Sequence, residues 1–161
     1  ERYKLIANIP YNITGAIFEK FLSCNNQPES IVLLVQKEVA ERIVARDDKE
    51  SILSISVKIY GEPKYVEKVL AGSFSPAPRV DSAIILISNI SKARLGEVPE
   101  DKFFLFLKAG FASKRKKLSS NLSKIAPKER VLEVFKQLGL DENLRAEDVK
   151  VEKWVEIISK L

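Results

Sequence analysis

Two short apolar runs flanking a helical stripe govern what this chain can fold into. Residues 3–9 (Tyr-Lys-Leu-Ile-Ala-Asn-Ile) read as a buried strand that ends at Pro10. Ile17, Phe18, Phe21 and Leu22 then recur at the 3.6-residue period of a helix, with Thr14 placed to cap it. After the turn-forming Asn25-Asn26-Gln27-Pro28 comes Ile31–Val35, a continuous apolar run of the kind covered on both faces. Strand, helix and strand at this spacing predict a crossover, and with it a parallel α/β sheet.

The pattern continues with a short helix around Val39, Ala40 and Ile43 and a charged loop at Asp47-Asp48-Lys49-Glu50. Residues 51–60 fit two periods at once. Leu53, Ile55, Val57 and Ile59 alternate as in a strand, while Ile52, Ile55, Ile59 and Tyr60 line a helical stripe. Tyr65–Leu70 and Ser82–Ile90 are further strand candidates. Near Lys92–Pro99 the character changes, and helical stripes follow at Phe103–Phe111, Leu118–Leu122, Val131–Leu138 (stopped by Gly139) and Val151–Leu161. The chain therefore divides into an α/β part, residues 1–95, and a small all-helical part, residues 96–161.

Composition narrows the chemistry. No histidine occurs among the 161 residues, which removes every imidazole base and every serine–histidine or cysteine–histidine nucleophile. The single cysteine, Cys24, can form no internal disulfide, is expected to serve packing, and leaves almost no ligands for zinc. No apolar run approaches the roughly 20 residues that cross a bilayer. The chain lacks methionine and opens directly on an apolar stretch, so a fragment of a longer protein is expected.

Charge is concentrated in one place. The net charge is +5, yet Lys108, Lys114, Arg115, Lys116, Lys117, Lys124, Lys128 and Arg130 face a single acid, Glu129, between residues 108 and 130. A phosphate-rich partner accounts for such a block, as does a plain solvated helix face.

Asn8-Ile9-Pro10-Tyr11 stands where a strand of an α/β sheet gives way to a loop, the usual position of a ligand site. Its residue types suit an exocyclic amine on a nucleobase, a poor nucleophile because its lone pair is delocalised into the ring. The Asn8 amide oxygen and a backbone carbonyl near Pro10 can accept both N–H groups. They would thereby aim the nitrogen lone pair at an incoming methyl group. The nitrogen becomes strongly acidic once alkylated, so no dedicated base is needed. Tyr11 offers a stacking face, worth roughly 1–3 kcal/mol per base in single-strand binders. The tetrapeptide is equally compatible with an ordinary strand-ending turn.

Phe74-Ser75-Pro76-Ala77-Pro78-Arg79-Val80-Asp81-Ser82 is the second candidate. Two prolines hold this segment extended, so Phe74 can supply the other wall of a base-sized slot opposite Tyr11. Two aromatic walls would offset the few kcal/mol that extruding a base costs. A core residue is the simpler role for Phe74 taken alone.

Together these segments resemble a known family, the small-subunit ribosomal RNA adenine dimethyltransferases of the KsgA type. The resemblance is carried by Asn8–Thr14, by Val35–Arg42 (VQKEVAER), by Phe74–Ser82, by Phe111–Leu118 (FASKRKKL), and by Arg145-Ala146-Glu147 with Trp154. It implies that residues 1–95 are the second half of a Rossmann-like methyltransferase domain and residues 96–161 an RNA-binding helical domain. It also implies that residues 51–60 are helical. The implied activity is S-adenosyl-L-methionine-dependent dimethylation of two adjacent adenosines near the 3′ end of small-subunit ribosomal RNA, within ribosome maturation. Asn8 and Pro10 would orient the amine, Asn8 would also border the cofactor, and Tyr11 and Phe74 would sandwich the adenine. Arg79, Lys108, Lys114, Arg115, Lys116 and Lys117 would bind RNA, the last four on a basic helix. A cytoplasmic monomer using no metal is implied as well.

One part of the family pattern has no counterpart. The glycine-rich cofactor loop and its acidic ribose-binding residue are expected before the Asn-x-Pro-Tyr strand, and none of Gly15, Gly61, Gly72, Gly96, Gly110 and Gly139 forms such a loop. The chain alone is thus expected to hold the cofactor weakly or not at all. Two other functions fit the same residues: a non-catalytic ribosome-assembly module, and a large-subunit ribosomal RNA methyltransferase of the antibiotic-resistance type.

Overall fold

The structure, a computed structural model, describes residues 2–161; residue 1, the first of the α/β part, lies outside them. Four strands form one sheet: β1 (Lys4–Asn8), β2 (Ser30–Gln36), β3 (Glu62–Val69) and β4 (Ser82–Ser88), in the order β1-β2-β4-β3. β1 pairs with β2 in parallel, Lys4 opposite Ser30 and Asn8 opposite Leu34. β4 runs antiparallel to both of its neighbours, with Ser82 opposite Gln36 on one side and Val69 on the other. The sheet is therefore mixed, not wholly parallel as the strand–helix–strand spacing predicts. The reason lies in the connection: only a 3-10 turn at Ala71–Ser73 interrupts the segment from β3 to β4, and without a crossover helix the chain must double back.

The centre of the sheet is dry. Ile31, Leu33 and Val35 of β2 face Ile87, Ile85 and Ala83 of β4 in register, and none of the six has any exposure. Full burial of such side chains is worth about 1.5–3 kcal/mol each for the larger ones. β3 tolerates Pro63 and a bulge between Tyr65 and Glu67 because it lies at the sheet margin.

Helix α1 (Thr14–Ser23) buries Phe18 and Leu22. Thr14 is its first residue and not its cap. The cap position belongs to Ile13, and the Thr14 hydroxyl donates back to the Tyr11 carbonyl at 3.2 Å. Helix α2 (Lys37–Val44) follows β2 without a break and stops at Ala45, which adopts φ 53°.

Helix α3 (Ile52–Lys58) settles the ambiguity of residues 51–60 in favour of the helix that the family resemblance implies. Its start carries the physical reason. The Ser51 hydroxyl accepts from the Ser54 N–H at 3.1 Å, and the Ser54 hydroxyl accepts from the Ser51 N–H at 2.7 Å, a reciprocal cap that no strand could use. Ser54 also donates to Glu50 at 2.6 Å. Glu50 is thereby not the solvated loop residue its charged neighbours suggest. It is buried, and Lys58 donates to its two oxygens at 2.7 and 3.0 Å.

The helical part comprises α4 (Glu100–Gly110), α5 (Leu118–Leu122), α6 (Lys128–Gln137) and α7 (Val151–Lys160). Trp154 is fully buried and stacks on Phe111 with ring centroids 5.6 Å apart. Gly110 is required beneath it, since a Cβ there would press into the indole and lie 2.9 Å from Leu118 Cδ1. Gly139 ends the α6 segment at φ 61°, where a side chain would be strained.

Buried residues from Ile9 to Ile158 form one continuous hydrophobic cluster, so the core does not break where the sequence pattern changes near residue 95. Polar clasps reinforce the junction. Lys92 Nζ joins Glu100 at 3.0 Å to the Ser23 carbonyl at 2.7 Å, and the Tyr60 hydroxyl donates to the same Glu100. Burial, and then the Glu100 carboxylate, push the Tyr60 hydroxyl far above its ordinary pKa, so it remains a donor. On another side, Lys150 pairs with Asp48 at 2.5 Å and lies 3.6 Å from Glu50.

Candidate functional site

Strand direction decides which residues can meet. β1, β2 and β3 point the same way and β4 is reversed, so the C-terminal ends of the first three and the N-terminal end of β4 share one end of the sheet. That end collects Asn8–Tyr11, the β2–α2 junction at Gln36-Lys37, and the whole segment 70–82. It is the crevice position at which open α/β sheets take ligands.

Asn8 and Pro10 are exposed there. The chain turns through a 3-10 turn at Tyr11–Ile13, closed by the Ile13 N–H donating to the Pro10 carbonyl at 3.2 Å. One lone pair of that carbonyl remains for another donor. Tyr11 is half-buried, and its hydroxyl hydrogen-bonds the Ser82 Oγ at 2.6 Å, across 71 positions of sequence. This bond ties the two sequence candidates, the Asn8–Tyr11 turn and the Phe74–Ser82 segment, into one site.

Phe74 is half-buried between the 3-10 turn and Pro76, its N–H donating to the Ala71 carbonyl at 3.2 Å; the Ser75–Pro76 peptide is cis. Tyr11 and Phe74 do not stack on each other. Three contacts brace the segment. The Asp81 carboxylate accepts from the Ala71 N–H at 2.9 Å and pairs with Lys68 at 3.0 Å, and the Asp81 carbonyl accepts from the Lys37 N–H at 3.0 Å. The Ala71 N–H first, and then Lys68, hold the Asp81 carboxyl below its ordinary value of 3.8. The brace is therefore complete above that ordinary value and weakens only as pH falls through the lower native one. Asp81 and Ser82 belong to the quoted sequence segment but carry no assigned role there. The one available signal is a polar pair heading the apolar run Ala83–Ile87.

Arg79 borders a hollow of about 420 Å³ beside the same end of the sheet, with Lys37, Glu41 and Asp81 among its other walls. A larger cleft of about 1260 Å³ runs along α1 between the α/β and helical parts. Lys108 and Lys114 line it, together with Phe18, Glu19, Tyr60 and Phe104. Arg115, Lys116 and Lys117 are exposed. They do not lie on a helix as the sequence suggests: residues 111–117 form the loop between α4 and α5. Asn121 fixes that loop by donating to the carbonyls of Gly110 at 2.7 Å and Ser113 at 3.0 Å, which satisfies the end of α4 and prevents its continuation.

No group of His, Cys, Asp and Glu among the described residues is placed to hold a metal ion, and no helix there is long and apolar enough to cross a membrane. The glycines do not form a cofactor cradle either. Gly15 sits in α1, Gly72 in a 3-10 turn and Gly110 at the end of α4, while Gly61 is closed by Ile87 and Ser88.

The chain thus combines a mixed α/β sheet, an Asn-x-Pro-Tyr turn at one end of it, and a helical part with an exposed basic loop. Across residues 1–161 it matches the family described as ribosomal RNA adenine dimethylase, and it belongs to that family. Among its relatives is the ribosomal RNA small subunit methyltransferase A of Nostoc punctiforme, 42% identical over 165 residues, covering 98% of this chain and 57% of the relative. The protein of the same name from Dehalococcoides mccartyi strain 195 is 40% identical over 154 residues, covering 94% and 53%. The chain thus spans little more than half the length of these relatives. A dimethyladenosine transferase from Plasmodium falciparum superposes with a TM-score of 0.81 at 27% identity, over 96% of this chain and 65% of that one. The 23S rRNA methyltransferase ErmE shares the fold, with a TM-score of 0.73 at 24% identity over 100% and 66% of the respective chains.

Proposed function

We propose that this chain is the acceptor side of a ribosomal RNA adenine dimethyltransferase. In this reading the full-length enzyme places two methyl groups on the exocyclic nitrogen of each of two adjacent adenosines near the 3′ end of small-subunit ribosomal RNA. It does so as a cytoplasmic monomer during ribosome maturation. The observation that carries the proposal is the convergence of Asn8, Pro10 and Tyr11 with the Phe74–Ser82 segment at one end of the sheet, joined by the Tyr11–Ser82 hydrogen bond.

Residues 1–95 present the base. The Asn8 amide oxygen accepts one N–H of the target amine and the free lone pair of the Pro10 carbonyl accepts the other. Two acceptors on one nitrogen favour its pyramidal form and expose the lone pair. Tyr11 and Phe74 bound the purine. A proton leaves the nitrogen after alkylation and passes to water, which suits a chain without histidine. Asn8 borders S-adenosyl-L-methionine, the methyl donor of the proposal. Residues 96–161, with the exposed loop Lys114–Lys117 and with Lys108, hold the RNA, and Arg79 contacts it near the base.

The direct test is mass spectrometry of small-subunit ribosomal RNA after incubation with the full-length enzyme and the methyl donor. Two neighbouring dimethylated adenosines are expected; methylation confined to large-subunit RNA, or none, would overturn the proposal. A second expectation concerns the basic loop. Lys116 and Lys117 are exposed and make no ion pair among the described residues. The double substitution Lys116→Ala with Lys117→Ala is expected to weaken RNA binding and to flatten log K against log salt by about 1–2 units. An unchanged slope in filter-binding assays at several salt concentrations would remove this loop from the interface.

A further inference from the structure

We propose that Ser82 is a positioning residue for the acceptor site: its hydroxyl holds the outer end of the Tyr11 ring and so sets where the ring lies beside the base. This rests on the assignment of Tyr11 as a wall of the base slot.

Ser82 is an unusual place for a polar side chain. It opens β4, the strand flanked on both sides, with its backbone opposite Gln36 and Val69. Period-two alternation puts it on the same face as Ile84 and Leu86, both half-buried, yet Ser82 itself has no exposure. A buried hydroxyl needs a partner, and the Tyr11 hydroxyl reaches it at 2.6 Å.

For Tyr11 the bond matters in a different way. The ring follows an exposed proline and hangs from a short turn whose own anchor is the Thr14 hydroxyl on the Tyr11 carbonyl. Two side-chain torsions would otherwise let the ring swing. A bond at its para position fixes the first of these torsions and so the direction in which the ring extends, anchoring it to the start of a strand paired on both sides. A stacking wall must hold its place to within a fraction of an ångström for the amine to meet its acceptors. The same bond couples that wall to the Phe74 segment, because Ser82 is that segment's last residue.

The test is a double-mutant cycle on methyl transfer by the full-length enzyme, with small-subunit ribosomal RNA as substrate. Ser82→Ala and Tyr11→Phe each remove one hydroxyl of the pair. Each is expected to lower kcat by about 3- to 10-fold, the range for loss of one net hydrogen bond, with KM for RNA within about twofold. The double variant is expected to be no slower than either single one, because both changes delete the same bond. Multiplicative losses, or full kcat in both single variants, would overturn the role of Ser82. If Ser82→Ala fails to fold, Tyr11→Phe decides alone, and an undiminished kcat then overturns it. Tyr11→Ala separates the two levels of the argument. A loss well beyond that of Tyr11→Phe supports the wall, whereas full activity of Tyr11→Ala would sink the base-slot assignment itself.

Discussion

Replacing Asn8 by alanine is expected to lower kcat for adenosine methylation by about 10²–10³-fold while leaving RNA affinity nearly unchanged. The size follows from what the side chain does. An acceptor aimed at a group whose charge changes in the transition state contributes more there than in the ground state. Removal of one such hydrogen-bonding group typically costs that much in rate. Affinity is expected to be preserved because, in the proposed reading, Asn8 touches a single base while RNA binding is spread over the basic residues of the helical part. Asn8 is exposed at the end of β1, so the change leaves no cavity and the fold is expected to survive it. Single-turnover methylation with saturating RNA, set beside filter binding of the same RNA, reads both quantities. Retention of the full rate would dismiss Asn8 as the amine acceptor.

The largest expected effect on stability comes from Trp154→Ala, about 3–5 kcal/mol. Trp154 has no exposure, lies against Gly110, and stacks on Phe111 at an interplanar angle of 23°. Truncation opens a cavity that Gly110, having no side chain, cannot fill. It also strips Phe111 of its partner at the very residue where the basic loop begins. Trp154→Phe is expected to cost clearly less than its lost volume implies. The indole Nε1 is buried without a hydrogen-bond partner among the described residues, so its removal relieves an unpaired donor. Urea unfolding of the three proteins orders them, and an alanine variant as stable as the native chain would contradict the packing described.

The elements that could be read from the sequence were those whose side-chain pattern is itself the cause of the structure. The run Ile31–Val35 is a strand that buries Ile31, Leu33 and Val35 fully and Val32 and Leu34 half-way, because it has no polar residue to turn outward. The stripes of α1, α4, α6 and α7 are helices because their apolar residues fall on one side. Direction is another matter. Ala83–Ile87 looks the same in a parallel or a reversed strand, and only the connection from β3 decides. Residues 51–60 satisfied two periods, and the choice fell to the hydrogen bonds among Glu50, Ser51 and Ser54. The family resemblance set Lys114–Lys117 on a basic helix, whereas Asn121, farther along the chain, keeps that stretch a loop. Asn8, Pro10, Tyr11 and Phe74 could be nominated by type and order, and the structure brings their segments to one end of the sheet. The Ser82 contact could not, since nothing local reveals which of many serines lies under a distant tyrosine.

The reversal of β4 has a consequence for how such a fold can diversify. In the proposed reading the amine-gripping turn hangs from β1 and the Phe74 wall hangs from the β3–β4 connection, and the two meet at the Tyr11–Ser82 hydrogen bond. Lengthening, shortening or recomposing that connection alters the contour presented to the surrounding nucleotides without disturbing either acceptor atom. Lineages with unlike targets can therefore arise by remodelling one surface segment, the reaction itself being inherited intact.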